Sequence, residues 1–165
     1  MRVAVNTPTG HIGGVLSEHL LNAGVDLVLP ARHPDKLARI AERGALVHQG
    51  DLQDPDFVAE VTKGVDVLFW LTPPNLAADD FRGFQNTLGK NAARAVKENR
   101  IPRVVDVSSI GAQHGSGTGP IAGLGDVERT LEGTGAFVTH LRPAYFMENY
   151  LTAVPTIVSD GAVYL

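Results

Sequence analysis

The sequence predicts an α/β protein with a doubly wound parallel sheet. Two observations carry that prediction. Short apolar, β-branched runs alternate about six times with segments of helical period along 165 residues. Such alternation builds a parallel sheet with helices on both faces and right-handed crossovers. Polar, glycine- and proline-bearing residues also recur directly after each strand, where open α/β sheets carry their sites. The expected strand order is 3-2-1-4-5-6, with a crevice between strands one and four at their carboxyl ends.

Each element has its own signal. Arg2 to Val5 is the first strand, apolar as a doubly buried strand should be. Thr7 to Gly10 is a tight turn, and from Ile12 the spacing becomes helical, with Ile12, Leu16, Leu20 and Ala23 on one face. Asn22-Ala23-Gly24 stops that helix. Val25 to Ala31 is the second strand, ending at Arg32-His33-Pro34-Asp35-Lys36, and Pro34 to Arg43 a short helix. Ala45 to His48 is the third strand, followed by Gly50-Asp51-Leu52. Asp54 caps a helix from Pro55 to Thr62, with Pro at its first position, and Gly64 closes it. Val65 to Leu71, the most hydrophobic run, is the fourth strand, followed by the stiff Thr72-Pro73-Pro74.

Ala77 to Asn99 reads as a long helix with Phe81, Phe84, Leu88, Ala92 and Ala95 on one face, stopped by Pro102. Arg103 to Val107 is the fifth strand, ending in Ser108-Ser109-Ile110-Gly111. His114 to Pro120 is a Gly-rich loop expected to be mobile. Leu124 to Glu132 is a helix and Ala136 to Leu141 the sixth strand. Arg142 to Tyr150 opens a turn and a helix to about Val158, and after the Asp160-Gly161 turn Ala162 to Leu165 begins another strand.

Composition narrows the function classes. With 44% hydrophobic and 19% charged residues the chain is an ordinary globular one, long enough for one domain with a substantial core. A net charge of −4 argues against a broad nucleic-acid footprint. The absence of Cys removes disulfides, thiolate nucleophiles and Cys-ligated metals, in keeping with a cytoplasmic protein. Met1 leads directly into the first strand, leaving no room for a signal peptide, and no apolar run has the length of a membrane span. The six His, at 11, 19, 33, 48, 114 and 140, show no metal-ligand spacing, so no metal is expected.

The first fourteen residues carry the sharpest motif. A strand, a Gly-containing turn and a helix begin a dinucleotide site, because the helix N-terminus offers free N–H groups and partial positive charge to a pyrophosphate. Gly10 admits the phosphates and Gly13 lets the helix pack against the strand. The usual G-x-x-G-x-x-G has Thr7 where its first Gly belongs. Thr7, Thr9, Gly10, His11, Ile12 and Gly13 are the cofactor candidates here, against the plainer reading of any βα turn. Arg32 follows Gly10 by about 20 residues, where an acidic residue would bind the ribose 2′-hydroxyl of NAD and an Arg accommodates the 2′-phosphate of NADP. Lys36 adds a second positive charge; the alternative is a solvated basic loop. Asp51, with Leu52, stands at a strand end, placed either to accept from the adenine amino group or to cap a helix. Leu71, Thr72 and Pro73 leave strand four over the ribose and pyrophosphate side, and Ser108 ends strand five beside them.

Several runs resemble the NmrA-like branch of the atypical short-chain dehydrogenase/reductase superfamily. They are the turn at Thr9 to Gly13, Ala-Arg-His-Pro-Asp-Lys at 31–36, Gly-Asp-Leu-Gln-Asp at 50–54, Gly-Val-Asp-Val-Leu-Phe at 64–69, Val-Val-Asp-Val-Ser-Ser at 104–109, Val-Glu-Arg-Thr-Leu at 127–131 and Leu-Arg-Pro-Ala-Tyr-Phe-Met-Glu-Asn at 141–149. The resemblance spans nearly the whole chain. It implies a Rossmann domain over residues 1–165 that binds NAD(P), with 142–165 leading into a C-terminal substrate region beyond Leu165. It also implies either reduction of quinones and other small unsaturated substrates or, in members without catalysis, sensing of the cofactor's redox state through a protein partner.

The Tyr and Lys, four residues apart, that do the acid work of classical short-chain dehydrogenases are absent. Tyr145 is followed at that distance by Asn149, Tyr150 by Val154, and no Lys occurs after Lys97. Some related reductases carry a Lys just before the Val127 helix, where this chain has Leu124. Ser109, which resembles the family's catalytic Ser, and Tyr145 are the remaining catalytic candidates, with His114 in the loop beside them. The plainer readings are a Ser bonded to neighbouring backbone and a half-buried Tyr in a wall. Quinone reduction needs no enzyme-borne acid, because the reduced quinone takes protons from water. The leading expectation is an NADPH-dependent reductase of quinones or similar small electrophiles, with NADPH preferred over NADH. The alternatives are a non-enzymatic NADP(H) redox sensor that regulates a protein partner, and an α/β domain with a degenerate site.

Overall fold

Burial on both faces explains why the central strands are almost continuously apolar. The computed structural model describes residues 1–164. Its strands are β1 (Arg2–Val5), β2 (Asp26–Ala31), β3 (Leu46–Gln49), β4 (Val67–Leu71), β5 (Arg103–Val107) and β6 (Phe137–Leu141). All neighbouring pairs are parallel, in the order β3-β2-β1-β4-β5-β6, which is the expected one. The helices are α1 (His11–Asn22), the single turn α2 (Ala38–Ala41), α3 (Pro55–Val61), α4 (Phe81–Asn99), α5 (Ile121–Glu132) and α6 (Val154–Asp160). On one face Leu68, Trp70 and Val104 meet Val58 of α3, Leu88 and Ala92 of α4 and Val127 of α5. On the other, Val3, Val5, Leu27 and Leu29 meet Ile12, Leu16 and Leu20 of α1 and Ile40 of α2. No described helix is long and apolar enough to cross a membrane.

Several boundaries differ from the sequence expectation, each for a local reason. α4 starts at Phe81 rather than Ala77, because Asp80 takes the Gly83 N–H on its carboxylate at 2.8 Å. Upstream, Asn75 holds the Ala77 N–H at 3.2 Å in a side-chain turn. α5 begins a turn earlier than Leu124, at Ile121, despite Gly123 and Gly125. A Cβ at Gly125 would lie 2.3 Å from the Ala112 carbonyl oxygen, so close packing, not propensity, selects these glycines. β4 begins at Val67 instead of Val65, since Asp66 caps the ladder by accepting the Arg2 N–H at 2.7 Å. The expected helix at Pro34–Arg43 divides into a 3-10 turn, Pro34–Leu37, and α2. Beyond Arg142 the chain forms a 3-10 helix, Met147–Ala153, before α6, and neither buries a residue. Residues 162–164 form no strand, as they pair with no ladder; Leu165 lies outside the described residues. On α1, Ala23 is exposed and Leu21 packs on the core instead. The Asp54 cap is as expected, accepting from Asp56 N at 2.9 Å and Phe57 N at 3.2 Å.

The strand order reverses between β1 and β4, and a fully buried side chain joins the two strands there. Asn6 donates through Nδ2 to the Leu71 carbonyl at 2.8 Å and accepts the Leu71 N–H on Oδ1 at 2.7 Å. It extends the ladder past the last paired residue with an amide that mimics a backbone. Asn6→Leu should cost about 1–3 kcal/mol for each Leu71 group left unpaired. Urea unfolding should show a lower midpoint at unchanged slope. A loss within about 0.5 kcal/mol, the range of an ordinary surface substitution, would remove Asn6 from this role.

Candidate functional site

Two clefts open at the carboxyl ends of the strands and meet over the turn after β1. The first, about 380 Å³, lies between Thr7, Thr9 and Gly10 of that turn, Arg32 at the tip of β2, Asp51 and Leu52 after β3, and Pro73 after β4. The second, about 780 Å³ and mostly apolar, lies between His11, Ile12, Gly13 and Val15 of α1, Leu71 and Pro73 at the end of β4, and Phe146. Thr7, Gly10, Pro73 and Pro74 border both. The structure therefore gathers most of the expected cofactor residues around one continuous crevice. It leaves out Lys36, exposed in the 3-10 turn, together with Thr72, Ser108, Ser109 and Tyr145.

The turn is built by close approach. Gly10 donates its N–H to the Thr7 carbonyl at 3.0 Å. A Cβ at Gly13 would stand 2.3 Å from the Thr7 oxygen and 3.2 Å from that of Asn6, so only Gly lets α1 sit this near the end of β1. Gly10 is the N-cap of α1 and gives no side-chain cap, which leaves the first-turn N–H groups for an anion. Thr7 adopts φ +54°. That left-handed backbone costs an L residue roughly 1–2 kcal/mol and is rarer still for a β-branched one. Its Oγ1 is buried and has no hydrogen-bond partner.

The remaining candidates have definite surroundings. Asp51 accepts the Gln53 N–H at 2.9 Å through one carboxylate oxygen, a local turn contact, while Asp54 caps α3. Thr72 is buried and accepts the Trp70 indole N–H at 3.1 Å. Ser109 donates to the Ile110 carbonyl at 3.2 Å, the backbone contact that is the plain reading of a strand-end Ser. Tyr145 is 53% exposed, edge-on to Tyr150 at 5.3 Å. Ser108 is buried, and its hydroxyl helps hold the Glu128 carboxylate ionised.

Behind Ser108 lies a cluster that sequence spacing did not reveal. Asp106 of β5 is buried and bonds His140 of β6 at 2.9 Å, the two being register partners. Glu128 of α5, also buried, receives Arg142 through two hydrogen bonds, 2.9 and 2.5 Å. The donor atoms of Asp106, Glu128 and His140 lie within 4.8 Å of one another. Arg142 and His140 supply the positive charge the two carboxylates need, so this is an ion-pair network fastening β6 and α5. A charged residue at matching places in two apolar strand runs was the available signal. Burial pushes the Asp106 carboxyl up, with His140 drawing it back. Burial also acts against the Glu128 carboxylate, but Arg142 holds it below the ordinary range. The bond to Asp106 raises the His140 imidazole, with Glu128 and Glu132 adding to it against the cost of burial.

The profile of a family described as NAD(P)H-binding matches residues 8–162. The chain belongs to that family. Among NAD(P)H-binding relatives it is 26% identical to quinone oxidoreductase 2 of Escherichia coli over 165 residues, 96% of this chain and 54% of that protein. It is 27% identical to an NAD(P)H azoreductase of Xenophilus azovorans over 157 residues, 95% of this chain and 52% of that one. The chain thus spans about half the length of these relatives. In fold it is similar to Citrobacter sp. triphenylmethane reductase complexed with NADP(H), with a TM-score of 0.83 at 21% identity, covering 99% of this chain and 56% of that one. It is also similar to the NADPH-dependent quinone oxidoreductase of Escherichia coli complexed with NADPH, with a TM-score of 0.80 at 23% identity, 98% and 55% of the two chains.

This NAD(P)H-binding chain has the features a dinucleotide needs: a glycine cradle that a Cβ would fill, an uncapped helix N-terminus and a guanidinium on the cleft wall. The ion-pair network beside it has its own pH signature. A raised His contributes stability that is complete below the unfolded value of 6.5 and is lost as pH rises through the higher folded value. The thermal midpoint should therefore fall as pH rises above 6.5, and His140→Gln should flatten that fall. Proton NMR should place the His140 titration above 6.5. A titration at or below that value, or an unchanged slope in the variant, would show that the imidazole takes no strength from Asp106.

Proposed function

We propose that the chain is the cofactor-holding part of an NADPH-dependent reductase of quinones or similar small electrophiles, of the NmrA-like branch, working in the cytoplasm. One observation carries the reading: two clefts, one polar with Arg32 on its wall and one apolar, join over an uncapped, glycine-built helix turn. That matches the two ends of a nicotinamide dinucleotide and the phosphates between them. The relatives named for quinone and azo reduction support the acceptor class. A bound nicotinamide supplies the hydride.

The chain's own residues do the rest by binding and orientation. The turn from Thr9 to Gly13 holds the pyrophosphate through backbone N–H groups at the positive end of α1. Arg32 takes the 2′-phosphate, and Lys36 adds positive charge from the turn behind it. Asp51 keeps one carboxylate oxygen outside its turn contact for the adenine amino group, over the apolar wall of Leu52. Ile12, Leu71 and Pro73 line the apolar cleft, where flat rings stack with water excluded. Ser109 and Tyr145, the catalytic candidates, stand outside both clefts, and the reading assigns them no step. Within residues 1–165 no Tyr is followed four residues later by a Lys, and the reading gives this chain no acid to supply. A hydride-reduced quinone is a stabilised phenolate and collects its proton from water.

Calorimetric titration with NADPH and NADH tests the cofactor assignment. A charge-assisted contact is worth about 1.5–3 kcal/mol, so Arg32→Ala should weaken NADPH by about 10- to 150-fold. NADH should change by less than about threefold, having no 2′-phosphate. Equal weakening of both would remove Arg32 from the phosphate, and no binding of either by the unmodified chain would overturn the function. Oxidation of NADPH by a benzoquinone then tests the acceptor class.

A further inference from the structure

We infer that Thr7, which stands where the motif has glycine, is a phosphate ligand whose hydroxyl is left without a partner until the dinucleotide arrives. The inference rests on the NADPH reading above. It turns on this chain's departure from the motif. A Gly at this position would take φ +54° without cost and offer no side chain; Thr7 takes the same φ with a β-branched side chain. Its Oγ1 is buried and makes no hydrogen bond. A buried hydroxyl without a partner destabilises a fold, and the left-handed backbone adds to that. Both burdens fall on one of the four residues that border the polar and apolar clefts together.

The neighbours fix where the missing partner comes from. The Thr7 carbonyl is already engaged, accepting the Gly10 N–H and lying against Gly13. Asn6 beside it spends both ends of its amide on Leu71. Only the hydroxyl remains, on a residue that lines the clefts and opens the turn into α1, whose first-turn N–H groups have no side-chain cap. A phosphate oxygen seated on those N–H groups would accept from Thr7 as well. Thr7 thus converts a position that is normally only permissive into a donor. The unliganded turn is correspondingly less stable, and the dinucleotide relieves one of its two burdens.

Three variants separate the two parts. Thr7→Gly removes the backbone strain, Thr7→Val keeps the branched shape and removes only the hydroxyl, and Thr7→Ser keeps the hydroxyl. Without ligand, Thr7→Gly should melt higher than the unmodified chain by a few degrees; an equal or lower midpoint would overturn the strain. In calorimetry, Thr7→Val should bind NADPH about tenfold or more weakly, and Thr7→Ser within about threefold of the unmodified chain, as one charge-assisted hydrogen bond implies. Adenosine 2′-monophosphate, which lacks the pyrophosphate, should bind the unmodified chain and Thr7→Val alike. If Thr7→Val binds NADPH as tightly as the unmodified chain, the hydroxyl does not touch the cofactor and this inference alone fails. An equal loss for adenosine 2′-monophosphate would mean a general distortion and overturn it too. If the unmodified chain binds no NADPH, the cofactor reading itself fails and the inference falls with it.

Discussion

The Asn6 amide at the sheet's turning point holds the crevice open and in register. β1 and β4 are parallel neighbours whose chains must separate at their ends, one into α1 and the other into Thr72-Pro73-Pro74. A backbone ladder cannot follow two diverging chains. The Asn6 side chain makes the last pair of bonds in its place, to both polar groups of Leu71, and the Asn6 N–H still donates to Phe69 at 3.3 Å. The turn after β1 and the cleft wall after β4 both start at this clamp. Thr7 begins the turn, Gly13 packs back on it, and Pro73 forms the opposite wall.

The sequence makes the order of the sheet legible because each strand is an apolar run closed by a polar turn, and crossover handedness leaves few ways to join them. Arg32, Asp51 and Pro73 could be placed at the crevice for the same reason: each follows the end of a strand by one or two residues. What periodicity cannot show is a side chain standing in for backbone. Asn6 reads as the start of a loop, though it is fully buried and completes the ladder. Side-chain turn chemistry is equally hidden where Asn75 and Asp80 intercept the start of α4, because the Ala77–Ala78 run has good helix propensity. Gly123 and Gly125 mislead in the opposite direction, since their smallness serves a contact with Gln85 and Ala112 rather than a bend. Thr7 was legible as a substitution in a motif; that it keeps the conformation of the glycine it replaces was not.

The far side of the sheet is held by different physics. β6 has β5 as its ladder partner and turns Phe137 and Leu141 outward, 74% and 46% exposed. Its inner side chains meet α5, where Asp106, His140, Glu128 and Arg142 are joined by hydrogen bonds rather than apolar packing. Buried ions of this kind contribute little net stability over an apolar replacement, but they are costly to break singly and fix one register. That is the useful property at an edge strand, where a slip by one residue would turn Phe137 inward and His140 outward. The network also fixes Arg142, the first residue after β6, and with it the start of the segment that carries Phe146 to the apolar cleft.

On the proposed reading, these two halves of the sheet divide the work of a hydride transfer that needs no acid from the protein. A ketone acceptor would leave an alkoxide too basic for water at neutral pH, which is why a neighbouring acid matters for that chemistry. A quinone leaves a delocalised anion, so the demand on the protein shifts to holding two flat rings face to face in a dry cleft. The rigid β1–β4 junction serves the first ring, with Ile12 and Leu71 on walls fixed by the Asn6 amide. The second ring needs a wall whose shape varies with the acceptor, and Phe146 meets that need because it lies beyond the ordered edge strand on a segment that buries none of its helical residues. Cofactor geometry is thus tied to the core and acceptor geometry to the periphery. A change in acceptor then requires substitutions at Phe146 and its neighbours but leaves the turn from Thr7 to Gly13 intact.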